Sequence, residues 1–488
     1  MTKMLLLMLA LSGLSVSAAD AVKVALTVLG EGAKPMPARI HLKDAAGKPQ
    51  RAPGRPFWRD HFVCDGRADV EVAAGSYTYE IERGPEWSAV SGTFTTGPHN
   101  TNITATLKRL ANLAQEGWWS GELHVHRPLE DMPLLMQADD LRVAHAITWW
   151  NESNLWKDRA LPSNPVSRLD DNRFFHVFAG EDERGGGALL YLNLAVPLDI
   201  TGSKREFPSP MKFLREARKQ AGVHVDIEKP FWWDTPLWLA SSMVDTVGIA
   251  NNHLHRGGVM GNEAWGRPRD LAKFPGPQGN GRYTQDIYYH ILNCGLRVPP
   301  SAGSASGVLP NPVGYNRVYV ECGKELTWEK WHEGLRAGRS FVSNGPLLRC
   351  RANGEFPGHV FRTAAPFQLR FDIKLDSREP IASLEFVRNG DIEPLNGGKP
   401  VTISESGWFL VRAIADPTNT FRFASTAPWY IEIKERPTQV IHRSAQFFLD
   451  WSRERIATLE KASNLTPEQR LEVLAPWREA EKFWQQKL

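Results

Sequence analysis

Between Gly117 and Arg127 the chain alternates: Leu123 and Val125 fall on one side of a strand, His124 and His126 on the other, because strand side chains repeat every two residues. The same alternation returns at 223–228, where Val223, Val225 and Ile227 oppose His224, Asp226 and Glu228. Apolar runs at 145–150, 174–179, 188–196 and 244–253 read as further strands. Helical patterns lie between them. One starts at Asp131-Met132-Pro133 with Leu134, Leu135, Ala138 and Leu141 on its buried face, and one runs from Ser209-Pro210 to Gln220 and stops at Gly222. Two more cover 283–294 and 327–336, closed by Gly295 and Gly338. Proline at the first turn and glycine past the last are the expected helix punctuation. Strands alternating with helices over 113–345 predict an α/β region with a parallel sheet or barrel.

The flanks carry the two-residue period only. Short strands separated by turns over 20–112 predict a small β-sandwich without a metal or nucleophile cluster, and Gly75-Ser76-Tyr77 resembles the "aGsY" turn of transthyretin-like accessory domains on exported hydrolases. Over 346–437 the pattern is again β; 367–375 alternates without a break, Asn389-Gly390 is a hairpin turn, and a second sandwich is expected. The tail, 438–488, is helical and charged, with a capping box at Thr466-Pro467-Glu468-Gln469. Trp477, Ala480 and Trp484 form a stripe that predicts docking onto the protein.

Composition narrows the possible functions. A chain of 488 residues exceeds one ordinary core, so two to four domains are expected. A net charge of +3 without a basic block argues against nucleic acid as the main partner. Lys3, the apolar run 4–14 and small residues at 16–19 form an export-signal pattern, so residues 1–19 are expected to be removed and the chain secreted or periplasmic. No later run reaches the ~18 apolar residues of a membrane span, and no stable membrane insertion is expected. Four cysteines, none in a C-x-x-C pair, are too scattered for a disulfide framework. Tryptophan stands out at 18 residues, which suits either a Trp-rich core or a pocket for a flat or sugar-like ligand.

Candidate chemistry gathers at the predicted strand ends of the α/β region. His124, His126, Glu181 and His253 are candidate metal ligands, with Asp226 and Glu228 close behind. Mixed imidazole and carboxylate donors suit Zn, Mn or Fe rather than Ca. A carboxylate not used as ligand, Asp226 or Glu228, is a candidate general base, with Lys229 beside it to stabilise charge. Trp149, Trp150, Arg184, Trp232, Asn252 and Arg256, with Ser304 in the small-residue loop 299–307, are candidate substrate contacts. Nucleophile-elbow, P-loop and dinucleotide fingerprints are lacking.

The segment Ser120-Gly121-Glu122-Leu123-His124-Val125-His126 resembles the "sGDLHvH" motif of the PHP (polymerase and histidinol phosphatase) superfamily, and more closely the exported CehA/McbA-type metallohydrolases. Gly180-Glu181 matches their glutamate-ligand motif, and 334–346 and 353–358 match segments that follow their barrel. The resemblance implies a distorted PHP-like β/α barrel between two β-sandwiches, with a metal-centred hydrolytic site. This chain departs from it where the family reads "TDHN" (Thr148-Trp149-Trp150-Asn151), at the "GHxN" histidine (Tyr191), at "HP" (Lys229-Pro230) and at "GSDxH" (Gly303-Ser304-Ala305-Ser306-Gly307). His124, His126 and Glu181 carry over, implying one divalent ion completed by a residue such as His253 or Asp226. The expected activity is hydrolysis of an ester, phosphoester, carbamate or amide; the alternative is a catalytically inactive barrel that binds a glycan.

Overall fold

A computed structural model of the chain describes residues 21–97, 101–395, 398–434 and 440–488. The export-signal pattern at 1–19 lies outside the described residues. The chain forms two units, a smaller one up to Glu82 with Ala89–Leu107, and a larger one of Arg83–Ser88 with Lys108–Leu488. The smaller unit holds two sheets. In one, Ala21–Leu29 lies between Arg67–Ala73 and Thr101–Thr106; the other orders Phe57–Trp58, His61–Cys64, Ala38–Asp44, Ser76–Glu82 and Val90–Thr95. Arg67–Ala73 shows why a strand forms there: Ala68, Val70 and Val72 are buried, while the residues between them are exposed.

The larger unit is mixed α/β, and its central strands close a ring. They are β1 (Trp118–Val125), β2 (Val143–Trp150), β3 (Val166–Asp170), β4 (Arg173–Arg184), β5 (Gly187–Leu192), β6 (His224–Ile227), β7 (Thr246–Ala250), β8 (Pro300–Ala302), β9 (Arg317–Glu321) and β10 (Ser340–Ser343). β1 pairs with β2 and β2 with β4 in parallel; β4, β5 and β6 pair antiparallel; β6, β7 and β8 pair in parallel. The ring closes just after β8, where Ala305 N donates to His124 O (2.9 Å) and His126 N to Ser306 O (2.7 Å). Helices α1 (Met132–Ala138), α2 (Pro210–Ala217), α3 (Thr235–Ala240) and α4 (Gly279–Asn293) fall in the connections, and α5 (Trp328–Arg336) follows β9. Ser209 caps α2 through its side chain, as the sequence predicts, and Thr327, read as the first residue of its helix, caps α5 in the same way.

Small residues make the closure possible. A Cβ on Gly303 would stand 2.5 Å from the Cβ of His124, and one on Gly307 (φ +104°) 2.1 Å from His126 O. The glycines of 299–307 therefore bring backbone against β1, not against a ligand. Ser304 takes the same structural part. Its N–H donates to Glu122 Oε1 (2.6 Å) and its hydroxyl accepts from Asn316 N (2.9 Å). Gly314 N donates to the other Glu122 oxygen, so one fully buried carboxylate ties two loops to β1.

From β10 the sheet continues into the C-terminal strands through Phe423–Thr426. Their core includes Leu348, Ile403, Phe386 and Phe409, with Phe409 stacked on Trp429 at 5.1 Å. The Asn389-Gly390 turn joins Ile381–Arg388 to Asp391–Pro394 with both φ angles positive, at 52° and 95°, the type I′ geometry that Asn-Gly favours. In the tail, α6 (His442–Glu460) and α7 (Pro467–Gln486) pack together, and the Thr466 capping box forms. Trp477, Ala480 and Trp484 are buried, and Trp484 Nε1 donates to Pro236 O in α3 (3.1 Å). No described helix is long and apolar enough to cross a membrane.

His224, expected to face the site with Asp226 and Glu228, belongs elsewhere. Both faces of β6 are buried, as in parallel sheets generally. His224 joins His145, His176 and His332 in a buried group, in which His145 Nε2 and His332 Nε2 lie 3.1 Å apart. Burial holds His176 and His224 down to about 4, and burial with neighbouring imidazoles holds His145 and His332 well below the ordinary histidine value. A depressed folded-state pKa gives stability that is present above the unfolded value of ~6.5 and lost as pH falls through the folded one. Urea unfolding should therefore show stability dropping steeply between pH 6.5 and 4, by about 3 kcal/mol for each of His176 and His224. His224→Leu should flatten that slope; an unchanged slope would remove the group from the acid response.

Candidate metal centre

β1 delivers His124 and His126 two residues apart on one face, and β4, one strand beyond β2, delivers Glu181. Their ligand atoms converge. His124 Nε2 and His126 Nε2 are 2.9 Å apart, and Glu181 Oε2 lies 3.2 Å from the first and 3.1 Å from the second. Ligands bound 2.0–2.1 Å from an ion at tetrahedral angles sit about 3.3 Å apart, and at octahedral angles about 3.0 Å. The three atoms match that spacing, and together they are a two-histidine, one-carboxylate donor set.

The groups behind them fit as well. His124 Nδ1 lies 3.4 Å from Glu228 Oε1; a proton held on that nitrogen would leave Nε2 to offer its lone pair to an ion. A carboxylate behind a ligating histidine is the usual second layer of a metal site. Glu228 is in turn held by Lys229 Nζ, by Trp232 Nε1 (2.9 Å) and by Asn252 Nδ2 (2.7 Å). Lys229 also lies over the Trp232 ring, 4.6 Å from its centroid.

Electrostatics follow from burial. Burial alone would lower His124, but the charges and hydrogen bonds of Glu181 and Glu228 push it up to about 10. Against the same burial, His124 and His126 hold Glu181 below the usual carboxylate range. Burial, with the charge of His124, lowers His126. Lys229 and His124 outweigh burial and hold Glu228 low. Burial pushes Asp226 up to about 7.

The structure redistributes several expected roles. His253 is not in the ligand cluster. β7 ends at Ala250, and Asn251 turns the chain by donating to Gly248 O and accepting from His253 N; the imidazole packs on Phe231 at 5.2 Å. Asp226 accepts from Thr246 (2.6 Å) and Ser301 hydroxyls and is buried, so it braces β6 against β7 and β8. Trp149 is core, packed against Gly180 and Tyr191 with Nε1 donating to Phe178 O (3.0 Å). Trp232 and Asn252 hold Glu228. Arg256 lies away from the cluster, its N–H on Asn311 and its carbonyl accepting from Arg422. Trp150 does reach the site: its ring stands edge-on to His126 (5.1 Å), and Nε1 donates to Glu183 Oε2 (3.0 Å).

Glu183 is the residue the sequence reading passed over. It shares a strand face with Glu181, two residues away, and the alternation would have found it. Burial, then the charge of Glu181, pushes its carboxyl up to about 8. With Arg184 it lines a cavity of about 390 Å³, together with Asn151, Glu152, Ile200, Ser203, Lys204, Arg205 and Trp265. Arg184 also grips Asp182 through two bonds (2.5 and 2.8 Å).

The smaller unit, expected to lack a metal cluster, does hold a histidine–carboxylate group. His41, Asp60 and His61 come together there. It does not suit a metal. Arg39 Nε, a donor only, points at His41 Nε2 (3.2 Å). That nitrogen must accept, so Nδ1 carries hydrogen and donates to Asp60 Oδ2 (3.1 Å), leaving no lone pair for an ion. His61 Nδ1 meets the other Asp60 oxygen at 3.0 Å, and the group is a carboxylate clamp.

No family model and no curated protein matches the chain. Among solved structures, a streptococcal ancillary pilin aligns with 23% of this chain and 38% of its own, at 13% identity and a TM-score of 0.16, which carries no argument about fold or function.

Glu228→Gln keeps the size of the side chain and removes its charge. Chelator competition should show divalent-ion affinity 10–100-fold weaker; unchanged affinity would mean that Glu228 does not support the ligand.

Proposed function

We propose that the chain is a metal-dependent hydrolase of the PHP-like kind suggested by its sequence, with one divalent ion held by His124, His126 and Glu181. The observation that carries this reading is the convergence of three ligand atoms, backed by Glu228 behind His124. The closed strand ring and the export-signal pattern are consistent with it, and on this reading the protein acts outside the cytoplasm. A divalent ion there supplies Lewis acidity toward a carbonyl or phosphoryl oxygen and acidifies water.

The remaining roles belong to side chains. Glu228, fixed by Lys229, Trp232 and Asn252, holds the His124 tautomer. Trp150 fixes the His126 ring and one oxygen of Glu183. Glu183 lines the cavity and is the carboxyl positioned to exchange a proton with bound substrate, a role that Asp226, gripped by two hydroxyls, fits less well. Carboxyl, phosphoryl and carbamoyl esters and amides are the bonds this chemistry suits. The exposed Trp265 wall of the cavity favours a second reading, a barrel that binds a ligand without turning it over.

Elemental mass spectrometry separates the two. Wild type should carry about one equivalent of Zn, Mn or Fe, and His124→Ala/His126→Ala should carry none. Metal absent from both after incubation with these ions would overturn the hydrolase reading. In an ester and phosphoester screen, Glu183→Gln should lower kcat by about 10²–10⁴-fold with metal content unchanged; full activity would return the proton-transfer role to another group.

A further inference from the structure

The cavity that Glu183 lines carries two unlike kinds of side chain. One is Trp265, 43% exposed, its ring stacked on buried Trp232 at 5.1 Å and 30°. Its loop is fixed, since buried Glu263 binds Arg269 and accepts from Asn280 Nδ2 (3.0 Å). A rigid exposed indole beside a cavity is a platform for a flat apolar face. The other is the pair of exposed cations Lys204 and Arg205, on a loop whose backbone is tied down. Gly185 N donates to Arg205 O (2.9 Å), Arg184 to Lys204 O (3.3 Å) and Pro208 O, and Arg455 to Glu206 (2.6 Å). Both side chains are exposed, and the Arg205 charge also acts on neighbouring Glu206.

The rest of the lining selects among anions. Glu152, Glu183 and Asn151 offer polar atoms that can hydrogen-bond hydroxyls, and the Glu152 carboxylate disfavours a bare phosphate. A pyranose presents an apolar face of C–H bonds, a rim of hydroxyls and, when acidic, one localised negative charge. The volume, about 390 Å³, falls in the ~300–1,000 Å³ range of small-molecule sites.

We propose that this cavity binds an acidic sugar, its ring on Trp265 and its carboxylate or sulfate on Lys204 and Arg205. The proposal names a substrate class for the hydrolase reading and rests on that reading only for what happens to the sugar once bound.

The test is calorimetric titration of the full exported chain with trigalacturonate, a sulfated galactan trisaccharide, neutral galactotriose and inorganic sulfate. At least one acidic trisaccharide should bind at least ten times more tightly than the neutral one and weaken with salt, and which one does identifies carboxylate or sulfate as the charge. Trp265→Ala and Lys204→Gln/Arg205→Gln should each weaken that binding about tenfold or more, with Trp265→Phe restoring part of it and thermal unfolding showing that each variant folds. Binding should persist in His124→Ala/His126→Ala, so loss of the metal reading leaves this one standing. The proposal is overturned if neither acidic probe outbinds the neutral sugar, if Trp265→Ala changes nothing, or if sulfate alone accounts for the binding.

Discussion

Two imidazoles and two carboxylates meet in the interior of the larger unit, and their neighbours are arranged to offset their burial. His124, Glu181 and Glu228 are each 3% exposed or less. Isolated charges at such depth cost several kcal/mol apiece, and they persist only when paired and fully hydrogen-bonded. That constraint explains the company Glu228 keeps. An ammonium, an indole N–H and an amide N–H all point at it, and with His124 Nδ1 facing it the carboxylate has little capacity left. Such a group orients a neighbour well and attacks a substrate poorly. Its position on a strand face with other ionisable residues does not tell these roles apart; its partners do.

Assembly of the cluster depends on the backbone closing over it. β1 and β4 are separated by one strand, so their side chains meet across the curvature of the ring. That curvature requires the segment after β8 to approach β1 within bonding distance. Gly303 and Gly307 permit the approach, and Glu122 fastens it by accepting from Ser304 and Gly314. One strand thus serves two ends: His124 and His126 face the ligand cluster, and Glu122, buried two residues before them, anchors the loops. A larger residue at 303 would displace His124 rather than merely strain a turn.

This geometry also explains what could be read from sequence. The His124 and His126 pair, Glu181, the Asn389-Gly390 hairpin, the Thr466 capping box and the Trp477/Trp484 stripe are local patterns, each fixed by a period or a turn preference within a few residues. Roles set by convergence of distant segments were not legible. Trp149 and Trp150 are adjacent and chemically alike, yet one fills the core and the other bridges His126 to Glu183. Asp226 and His224 follow the alternation of β6, but a strand buried on both faces gives no sequence mark for the side that lines the site. His253 lies past the end of β7, where an Asn251 turn decides its direction. Glu183 was within reach, because it sits two residues from Glu181 on the same face.

The two histidine–carboxylate clusters show why proximity alone does not make a metal site. His41 and His61 flank Asp60 about as closely as His124 and His126 flank Glu181. The difference lies one layer out. A guanidinium behind His41 can only donate, which forces the proton onto the nitrogen facing the carboxylate and uses up its lone pair. A carboxylate behind His124 can only accept while ionised, which favours a proton on the outward nitrogen and would leave the inward one for an ion. Exchanging Arg39 for an acceptor, or Glu228 for a donor, would in principle exchange the behaviour of the two sites. Donor capacity therefore resides in the residue behind the ligand, and it separates a clamp made of the same side chains from a centre able to hold an ion.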